Sequence, residues 1–538
     1  MLLGSPSNMT IVSFRMNHNS LSLFAALLLS VIHTSPSFAF QQQQQQPPRS
    51  NRGRMTALSA AASTASSASQ SQLKVAIIGS GAAGLAAARQ FTQRGIEPIV
   101  FEKDSLPGGV WNYVRNARDR PMYQGLRTNL PRELMAYREK PWGSDGKTPS
   151  YVTHADVQKY LSDYAEELDL NRFIRYGCRV CRLSTVFHEF SAASTLEGEA
   201  WPKLKLEWHS TTGDASEDAF LHSEMFDAVA VCNGHYSVPS NPTIPGLEAN
   251  FSGDIMHSIE YDDPSIFAGK TVLCIGGRAS GSDIAREISY HARRVYLSDS
   301  ACKPLVDGQP HEKGNVKWVP RTHAVEGGGA IRFSGGCKLL PTDVDVIIFC
   351  SGYDYDFPFI NDSSGLDDTK FARGERRVSL LHEHLWHARH PNLAFLGLQH
   401  SVVPFPYFEL QAQAMVARLV NETGSIPFPN LEARLAAAKE DRASGGPSDG
   451  PGRVEDTHYL GSFQWDYCRK MARIAGSLDG KTERFLATNK AIYDHSGSRR
   501  KGLFPGGEDI YRGDKYVRDD EDPNEFIVQE AMSKVSSV

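Results

Sequence analysis

The chain lacks a strong excess of either charge and a long apolar run, and its cysteines are few and mostly far apart. Its 57 lysines and arginines and 62 aspartates and glutamates give a formal net charge of −5 over 538 residues. That balance excludes the basic excess of a nucleic-acid-binding protein and the acidic composition of a disordered one. We therefore expect no nucleic-acid partner, and the length is sufficient for two or three domains with large cores.

Cysteine usage predicts neither a redox centre nor a metal site. Eight cysteines are scattered along the chain, and only Cys178 and Cys181 have the spacing of a redox pair. The sequence around them is typical of the start of a strand, not of the strand-to-helix turn that lowers the pKa of a redox thiol. We interpret them as two ordinary cysteines.

The N-terminal apolar stretch, Leu21 to Ile32, is shorter than the roughly 20 residues needed to cross a bilayer. Arg15 precedes it, and the small residues Ser37 and Ala39 stand where a signal peptidase would cleave before Phe40. The pattern predicts a signal peptide over residues 1–39 and no integral membrane span.

Residues 40–72 have a different composition. They are rich in glutamine, serine and alanine, contain Arg49, Arg52 and Arg54, and contain no acidic residue. This is typical of a transit peptide, and with the preceding segment it resembles the bipartite presequences of algae with secondary plastids. We expect import into a plastid. The alternatives are the ER lumen or secretion, or translation starting at Met55.

A dinucleotide-binding motif begins at residue 75. The β-rich run 75–78 leads into Gly79-Ser-Gly81-Ala-Ala-Gly84, a helix-forming segment, a second apolar run over 98–101, and Glu102. Three glycines permit a tight turn, close approach to a pyrophosphate and close packing of helix on strand, while the acid accepts hydrogen bonds from ribose. The helix N-terminus favours the phosphates.

The same pattern returns after a proline-rich hinge at 238–246. The run Thr271–Ile275 leads into Gly276-Gly-Arg278-Ala-Ser-Gly281, and another apolar run follows at 294–297. A buried strand within 343–353 is predicted to return the chain to the first domain, and helices are predicted over 156–168 and 408–420. After residue 476 the sequence is polar and gives no indication of function.

The fold class predicted is therefore α/β, with two Rossmann-like dinucleotide-binding domains, the second inserted into the first. The predicted boundaries are 73–236 for the first part of domain one, 237–342 for domain two, 343–476 for the second part of domain one, and 477–538 for a C-terminal extension.

Six motifs in this order resemble the flavin-containing monooxygenase family over roughly residues 74–476. They are Gly79–Gly84, Gly108–Trp111, Thr128–Pro131, Phe251–Tyr261, Ser280–Asp283 and Phe349–Tyr353. The segments 355–359 and 404–411 look closest to the fungal and plant S-oxygenating branches of that family.

The resemblance implies FAD in the first domain and NADPH in the second. The FAD residues it implies are Gly79, Gly81, Ala83, Gly84, Glu102, Val110, Trp111, Thr128 and Asn129. The NADPH residues are Gly276, Arg278, Ser280, Gly281, Ser282 and Asp283. It further implies a C4a-hydroperoxyflavin, formed with O2, that oxygenates a nucleophilic sulfur or nitrogen of a small molecule, while the protein orients the reactants and excludes water.

Asn129 is the candidate catalytic residue, because an amide can donate to the peroxide or to the nicotinamide ribose without transferring a proton. His257, inside the motif that links the two domains, is expected to be structural. The oligomeric state is left open.

Two positions depart from the family pattern. Arg278 stands where the middle glycine of the second loop is expected; it either binds the 2′-phosphate of NADPH, alone or with Lys303, or faces solvent. Asp299 stands where the family has an arginine, and an acid there is more typical of NADH enzymes.

Three alternatives stay open. A Baeyer–Villiger monooxygenase would have tryptophan at Tyr261, although Asp262 does follow as in that class. An indole-pyruvate-type monooxygenase is a second possibility. The third, of another kind, is a degenerate flavoprotein that serves as a redox sensor.

Overall fold

The computed structural model describes residues 10–14 and most of residues 73–531. The described ranges are 10–14, 73–143, 148–191, 199–211, 221–302, 311–336, 338–339, 344–366, 377–440, 457–501, 504–506, 508–518 and 526–531. The predicted signal peptide and transit peptide lie outside the described residues, apart from one short strand at 10–14.

Helices and strands are numbered here in chain order. Helices α1 to α8 are Ala82–Thr92, His154–Glu167, Leu247–Asn250, Ala279–Ser289, Pro404–Leu419, Leu431–Glu440, Gln464–Ile474 and Gly480–Lys501. Strands β1 to β12 are Thr10–Phe14, Val75–Ile78, Ile99–Phe101, Ile174–Arg175, Cys178–Phe190, Pro202–Ser210, His222–Phe226, Ala228–Val231, Val238–Pro239, Asp254–His257, Thr271–Ile275 and Arg294–Ser298. Strands β13 to β24 are His311–Lys313, Val316–Val319, Thr322–Val325, Ile331–Phe333, Lys338–Leu339, Val346–Phe349, Tyr353–Asp354, Leu381–His382, Trp386–His387, Leu393–Phe395, Lys515–Arg518 and Phe526–Glu530.

The first large sheet has the order β20-β21-β22-β8-β2-β3-β4. The strands from β22 to β4 pair in parallel. Every residue of β2 and β8 is buried, as expected for a parallel sheet covered on both faces. One face packs against α1, α2 and α5 in the largest core, and the other against the antiparallel sheet β5-β6-β7.

The second large sheet has the order β10-β18-β11-β12-β14-β13, parallel except for the pair at the β13 edge. It is built from residues between β8 and β22, which are neighbours in the first sheet. The chain crosses out and back through β9 and β19, which pair side by side. The predicted insertion of one Rossmann-like domain into another is confirmed.

One boundary within this prediction was wrong. Strand β18 was assigned to the first domain, but it lies between β10 and β11 in the second sheet, with Ile275 opposite Phe349. The boundary predicted after residue 342 therefore moves beyond residue 349. A buried apolar strand has the same pattern in either parallel sheet, so periodicity does not indicate which sheet contains it.

Both predicted helices exist and both begin earlier than predicted. Helix α2 begins at His154 because Thr153 and Asp156 form a capping box. Helix α5 begins at Pro404, since proline is well tolerated in a first turn. None of the described helices is long and apolar enough to span a membrane.

The C-terminal extension is an integral part of the fold. Helix α8 and the hairpin β23-β24 place Leu486, Ile492, Tyr516 and Val528 in the core that also contains α1 and α5. Strand β1 lies beside β24 in the same small sheet.

Candidate functional site

The first glycine loop follows β2 and has the geometry that the sequence predicts. Gly79 has a φ of 98°, and a Cβ there would lie 2.6 Å from the Cys232 carbonyl oxygen. A Cβ on Gly84 would lie 1.9 Å from the Gly79 carbonyl oxygen, so only glycine lets α1 pack this closely on the turn. A Cβ on Gly81 would meet only the Cα of Gly109, at 3.6 Å. The middle position is thus the one with room for a ligand.

Glu102 is buried at the end of β3 and holds this loop. Its Oε2 accepts hydrogen bonds from the backbone N–H and the hydroxyl of Ser80, both at 2.7 Å, and its Oε1 accepts one from the Asp104 N–H at 2.9 Å. A carboxylate has about four lone-pair sites, so it retains capacity for ribose hydroxyls.

The segment 108–111 lies directly on the loop, as a candidate cofactor segment should. The Gly108 N–H donates to the Ser80 carbonyl at 3.0 Å, and a short 3₁₀ helix carries Val110 and the half-buried Trp111. Ala83 lies on the other side, 3.4 Å from the Cβ position of Gly397. These predicted residues are therefore brought together.

Thr128 and Asn129 behave differently from each other. Thr128 is buried, and two hydrogen bonds join it to Val152. Asn129 is exposed, and its side-chain amide forms no hydrogen bond among the described residues. Its carbonyl oxygen accepts a hydrogen bond from Arg500 at 3.3 Å. The amide of Asn129 is therefore available to a ligand.

The second glycine loop repeats the construction of the first. Gly276 has a φ of 114°, and a Cβ there would lie 2.4 Å from the Cys350 carbonyl oxygen. A Cβ on Gly281 would lie 1.7 Å from the Gly276 carbonyl oxygen. Cys350 follows β18 as Cys232 follows β8, so the two strands have equivalent places in the two domains.

The remaining residues of the second loop divide into two groups. Ser280 and Ser282 lie in the first turn of α4, where the Ser282 hydroxyl donates to the Gly277 carbonyl at 2.7 Å. Asp283 faces away from the loop, since its carboxylate accepts from Tyr123, Arg286 and Arg512. Asp283 was predicted to bind the cofactor. The contacts of its carboxylate join α4 to Tyr123 and to Arg512.

Arg278 is the N-cap residue of α4, and its guanidinium lies 5.8 Å from the Tyr459 ring centroid. Asp299 lies at the end of β12, where its carboxylate would be 2.3 Å from a Cβ on Gly277. Arg278 therefore contacts the first domain, while Asp299 adjoins the loop. Lys303 lies outside the described residues.

An aromatic row connects the ends of β8 and β18. Ring centroids are 4.1 Å apart between His235 and Tyr236, 5.6 Å between Tyr236 and Tyr353, and 5.2 Å between Tyr353 and His257. Tyr236 is 43% exposed, so this row reaches the protein surface. Sequence reasoning missed His235 and Tyr236; the glycine that follows β8 was the available signal.

Two histidines, His235 and His257, belong to this row. Burial lowers the pKa of His235 to about 3. His257 Nδ1 accepts from the Ile259 N–H at 3.1 Å, so its Nε2 is protonated and donates to the Gly352 carbonyl at 3.1 Å. His257 thus holds the link between the domains, as expected.

Cys178 and Cys181 lie on β5, and desolvation raises the pKa of each thiol. That shift is opposite to the one a redox thiol requires.

The two glycine loops have the same construction, and each lies at the carboxyl end of a parallel sheet. One of the two domains is inserted into the other. This arrangement defines a protein that binds two dinucleotides. Residues 72–314 match the family model described as flavin-binding monooxygenase-like. The chain is 31% identical over 444 residues to the flavin-containing monooxygenase FMO GS-OX5 of Arabidopsis thaliana, covering 79% of this chain and 89% of that protein. It is 32% identical over 443 residues to FMO GS-OX-like 4 of the same plant, covering 77% of this chain and 90% of that protein.

Among solved structures, the S-allyl-L-cysteine S-oxygenase of Allium sativum matches with a TM-score of 0.67 and 28% identity, covering 82% of this chain and 94% of that one. Tmm from Pelagibacter sp. strain HTCC7211 matches with a TM-score of 0.63 and 24% identity, covering 83% and 94%, which shows the fold. The chain belongs to the flavin-containing monooxygenase family, as its motifs predicted. It is an NADPH-dependent flavin monooxygenase that uses FAD, O2 and a small-molecule substrate.

Proposed function

We propose that this enzyme transfers one oxygen atom to a soft nucleophile of a small molecule, a thioether or an amine. The observation that carries the proposal is the exposed Asn129 amide, which has no hydrogen-bond partner among the described residues. The names of the relatives support sulfur, because the similar Allium protein is an S-allyl-L-cysteine S-oxygenase.

The first loop would hold the FAD pyrophosphate at Gly81, with Glu102 beneath the ribose, and the second would hold NADPH at the N-terminus of α4. The oxygen-transfer chemistry proposed is that of a flavin C4a-hydroperoxide, which bound FAD would supply after reduction by NADPH and addition of O2.

Asn129 would orient NADP⁺ against the flavin and exclude water from it. An amide donates a hydrogen bond without releasing its proton. It would therefore stabilise a peroxide without protonating it and releasing hydrogen peroxide. A sulfur or amine nucleophile attacks the distal oxygen directly and needs no general acid. The neutral His235 is consistent with this requirement.

The structure removes one argument for the Baeyer–Villiger alternative. Asp262, the residue that resembled that class, is buried and accepts hydrogen bonds from the Tyr113 hydroxyl at 2.9 Å and the Gln124 N–H at 3.1 Å. Tyr261 is also buried, and its hydroxyl donates to Glu287 at 2.9 Å. Asp262 thus joins the two domains, and the Tyr261 ring packs against Tyr123 of the first domain with centroids 5.0 Å apart. Neither residue carries an argument for ketone oxidation.

Stopped-flow oxidation of the NADPH-reduced enzyme tests the proposal. We expect an absorbing adduct that decays faster when a thioether is added, with a sulfoxide as product. Asn129→Ala should still be reduced by NADPH but should release more hydrogen peroxide and less product, whereas Asn171→Ala, another exposed asparagine, should behave as the parent. Reoxidation with no adduct and no oxygenated product would leave an oxidase or a redox sensor, and faster turnover of ketones would restore the Baeyer–Villiger alternative.

A further inference from the structure

The described residues of the C-terminal segment 500–518 contact both nucleotide-binding domains. Gly506, Asp509 and Arg512 contact the second domain, and Arg500, Arg512 and Arg518 contact the loop that carries Asn129. None of the six family motifs lies in this segment.

On the side of the second domain, the contacts converge on helix α4. Arg512 Nη2 donates to Asp283 Oδ1 at 2.8 Å, and Arg512 Nη1 donates to Asp509 Oδ2 at 2.7 Å. Asp509 also pairs with Arg286, one turn along α4 from Asp283. Arg512 and Arg286 thus alternate with Asp283 and Asp509 in an ion-pair network that is partly buried. A Cβ on Gly506 would lie 3.3 Å from Ala285, so the segment packs directly on the helix.

On the side of the first domain, the same segment surrounds residues 127–133 by hydrogen bonds to three backbone carbonyls. Arg512 Nη2 donates to the Arg127 carbonyl at 3.4 Å, and Arg500 donates to the Asn129 carbonyl at 3.3 Å. Arg518 donates to the Glu133 carbonyl at 3.1 Å.

Arg512 is the residue common to both sides. It is 4% exposed, and one nitrogen of its guanidinium contacts both the Arg127 carbonyl and Asp283. Tyr123 supports the same junction by donating to the other oxygen of Asp283. A planar guanidinium with several fixed donors suits such a junction better than a lysine, whose ammonium is a single point charge.

We propose that Arg512 is a positioning residue that fixes helix α4, and with it the NADPH site, relative to the loop that carries Asn129. This inference rests on the proposed function for its effect on oxygen transfer. A guanidinium that joins both elements keeps the angle between the two cofactor sites, and the nicotinamide must reach the flavin at a defined distance and orientation for hydride transfer. Loss of the junction leaves the FAD loop intact but releases α4, so NADPH binds more weakly and its nicotinamide is misaligned against the flavin.

The test compares FAD-loaded Arg512→Met with the parent. We expect unchanged FAD content, an NADPH dissociation constant at least tenfold higher in anaerobic flavin reduction, and at least threefold more peroxide per NADPH oxidised. Amide exchange over 279–289 and 123–129 should be faster in the variant. Arg512→Lys should recover part of each effect, because lysine restores the positive charge but not the several fixed N–H donors of the guanidinium.

The control is Arg434→Met. Arg434 is fully buried and pairs with Glu199 within the first domain, so its loss should lower thermal stability and leave NADPH binding and peroxide release at parental values. If Arg512→Met fails to fold, Asp509→Asn weakens the same network and should show the same effects at smaller size. Parental NADPH binding in every folded variant of the network, or equal effects from Arg434→Met, would overturn the proposal.

The reduction step separates this inference from the proposed function. If the parent forms no oxygenated product, oxygen transfer to a soft nucleophile is refuted, while the NADPH dissociation constants in anaerobic reduction still decide the role of Arg512.

Discussion

At the residue scale, the glycines of the two loops have separable roles. Gly79 and Gly84 are required by the fold itself, because side chains there would collide with backbone oxygens. Gly81 is not, since a methyl group there meets only an ordinary contact at 3.6 Å. In the second loop Gly276 and Gly281 are likewise required by the fold, while Arg278 takes the place of the middle glycine.

This division predicts different outcomes for two similar substitutions. Gly81→Ala should fold and should lose FAD on gel filtration, because the methyl group occupies the approach to the pyrophosphate. Gly84→Ala should lower the yield of folded protein. The ratio of flavin to protein absorbance and the melting temperature distinguish them.

Gly497→Ala is the control for both variants. It lies within α8 with nothing within 4 Å of its Cβ position, so the change should add about 0.5–1 kcal/mol of helix stability and leave flavin retention unchanged. Tight flavin retention by Gly81→Ala would show that the phosphates bind elsewhere.

Coenzyme choice is a second question at this scale. We expect the parent to prefer NADPH, and a hundredfold preference would correspond to about 2.8 kcal/mol. Asp299→Asn should increase that preference, because it removes a negative charge beside the glycine loop that opposes the 2′-phosphate. Values of kcat/KM for NADPH and NADH measure the effect. Asp254→Asn, an exposed aspartate of the same domain, should change neither value.

The result also decides how Asp299 functions. Equal kcat/KM values for the two coenzymes in the parent, with a loss of NADH turnover in Asp299→Asn, would make Asp299 the ligand of the ribose.

At the scale of elements, helices support the Asn129 loop from outside the motifs. Thr153 is the N-cap residue of α2, and an isolated β-bridge joins Thr153 to Arg127, two residues before Asn129. The buried face of α2, which includes Val157 and Leu161, packs into the largest core. A cap at the start of this helix therefore stabilises both the helix and the loop.

Thr153→Ala should destabilise α2 locally by about 1 kcal/mol, because it removes the side-chain cap from the Asp156 N–H. Amide exchange over 154–167 measures the local opening free energy, which a single melting temperature of a two-domain protein does not. Thr153→Ser retains the hydroxyl and should exchange as the parent does. Equal exchange in both variants would show that packing alone holds the helix.

At the scale of the whole molecule, the sheet order explains how one domain is inserted into the other. The first sheet is split between residues before and after the inserted domain, and the two crossings β9 and β19 lie side by side. The paired crossings therefore hold the inserted domain at adjacent points. The C-terminal segment adds a further contact at α4.

Targeting also concerns the whole molecule, and we propose that residues 1–72 direct import into a plastid. A fluorescent fusion that carries only this segment should reach the plastid, because its signal-peptide-like and transit-peptide-like parts would act in turn. Phe40→Asp should retain the fusion earlier in the secretory route, whereas Gln43→Asp, a few residues away, should not. Cytosolic fluorescence of the unaltered fusion would refute the proposal.

The sequence by itself determined what depends on local pattern. Glycine spacing, apolar runs and flanking acids are short-range signals, so both dinucleotide loops, the inserted order of the domains and the family could be read from them. Glu102 was predicted in the same way, because it has a fixed place after the first glycine motif. Asn129 was predicted from the family motif Thr128–Pro131, and its role stays a prediction.

Only the tertiary structure decided what depends on contacts between distant segments. It placed β18 in the second sheet, because pairing partners are chosen by packing and not by apolar pattern. It turned Asp283 away from the cofactor loop towards Tyr123 and Arg512, and Arg512 itself stands in a polar stretch with no motif. Its role arises from being buried between two domains, and burial at a junction is a property that no local run of residues encodes.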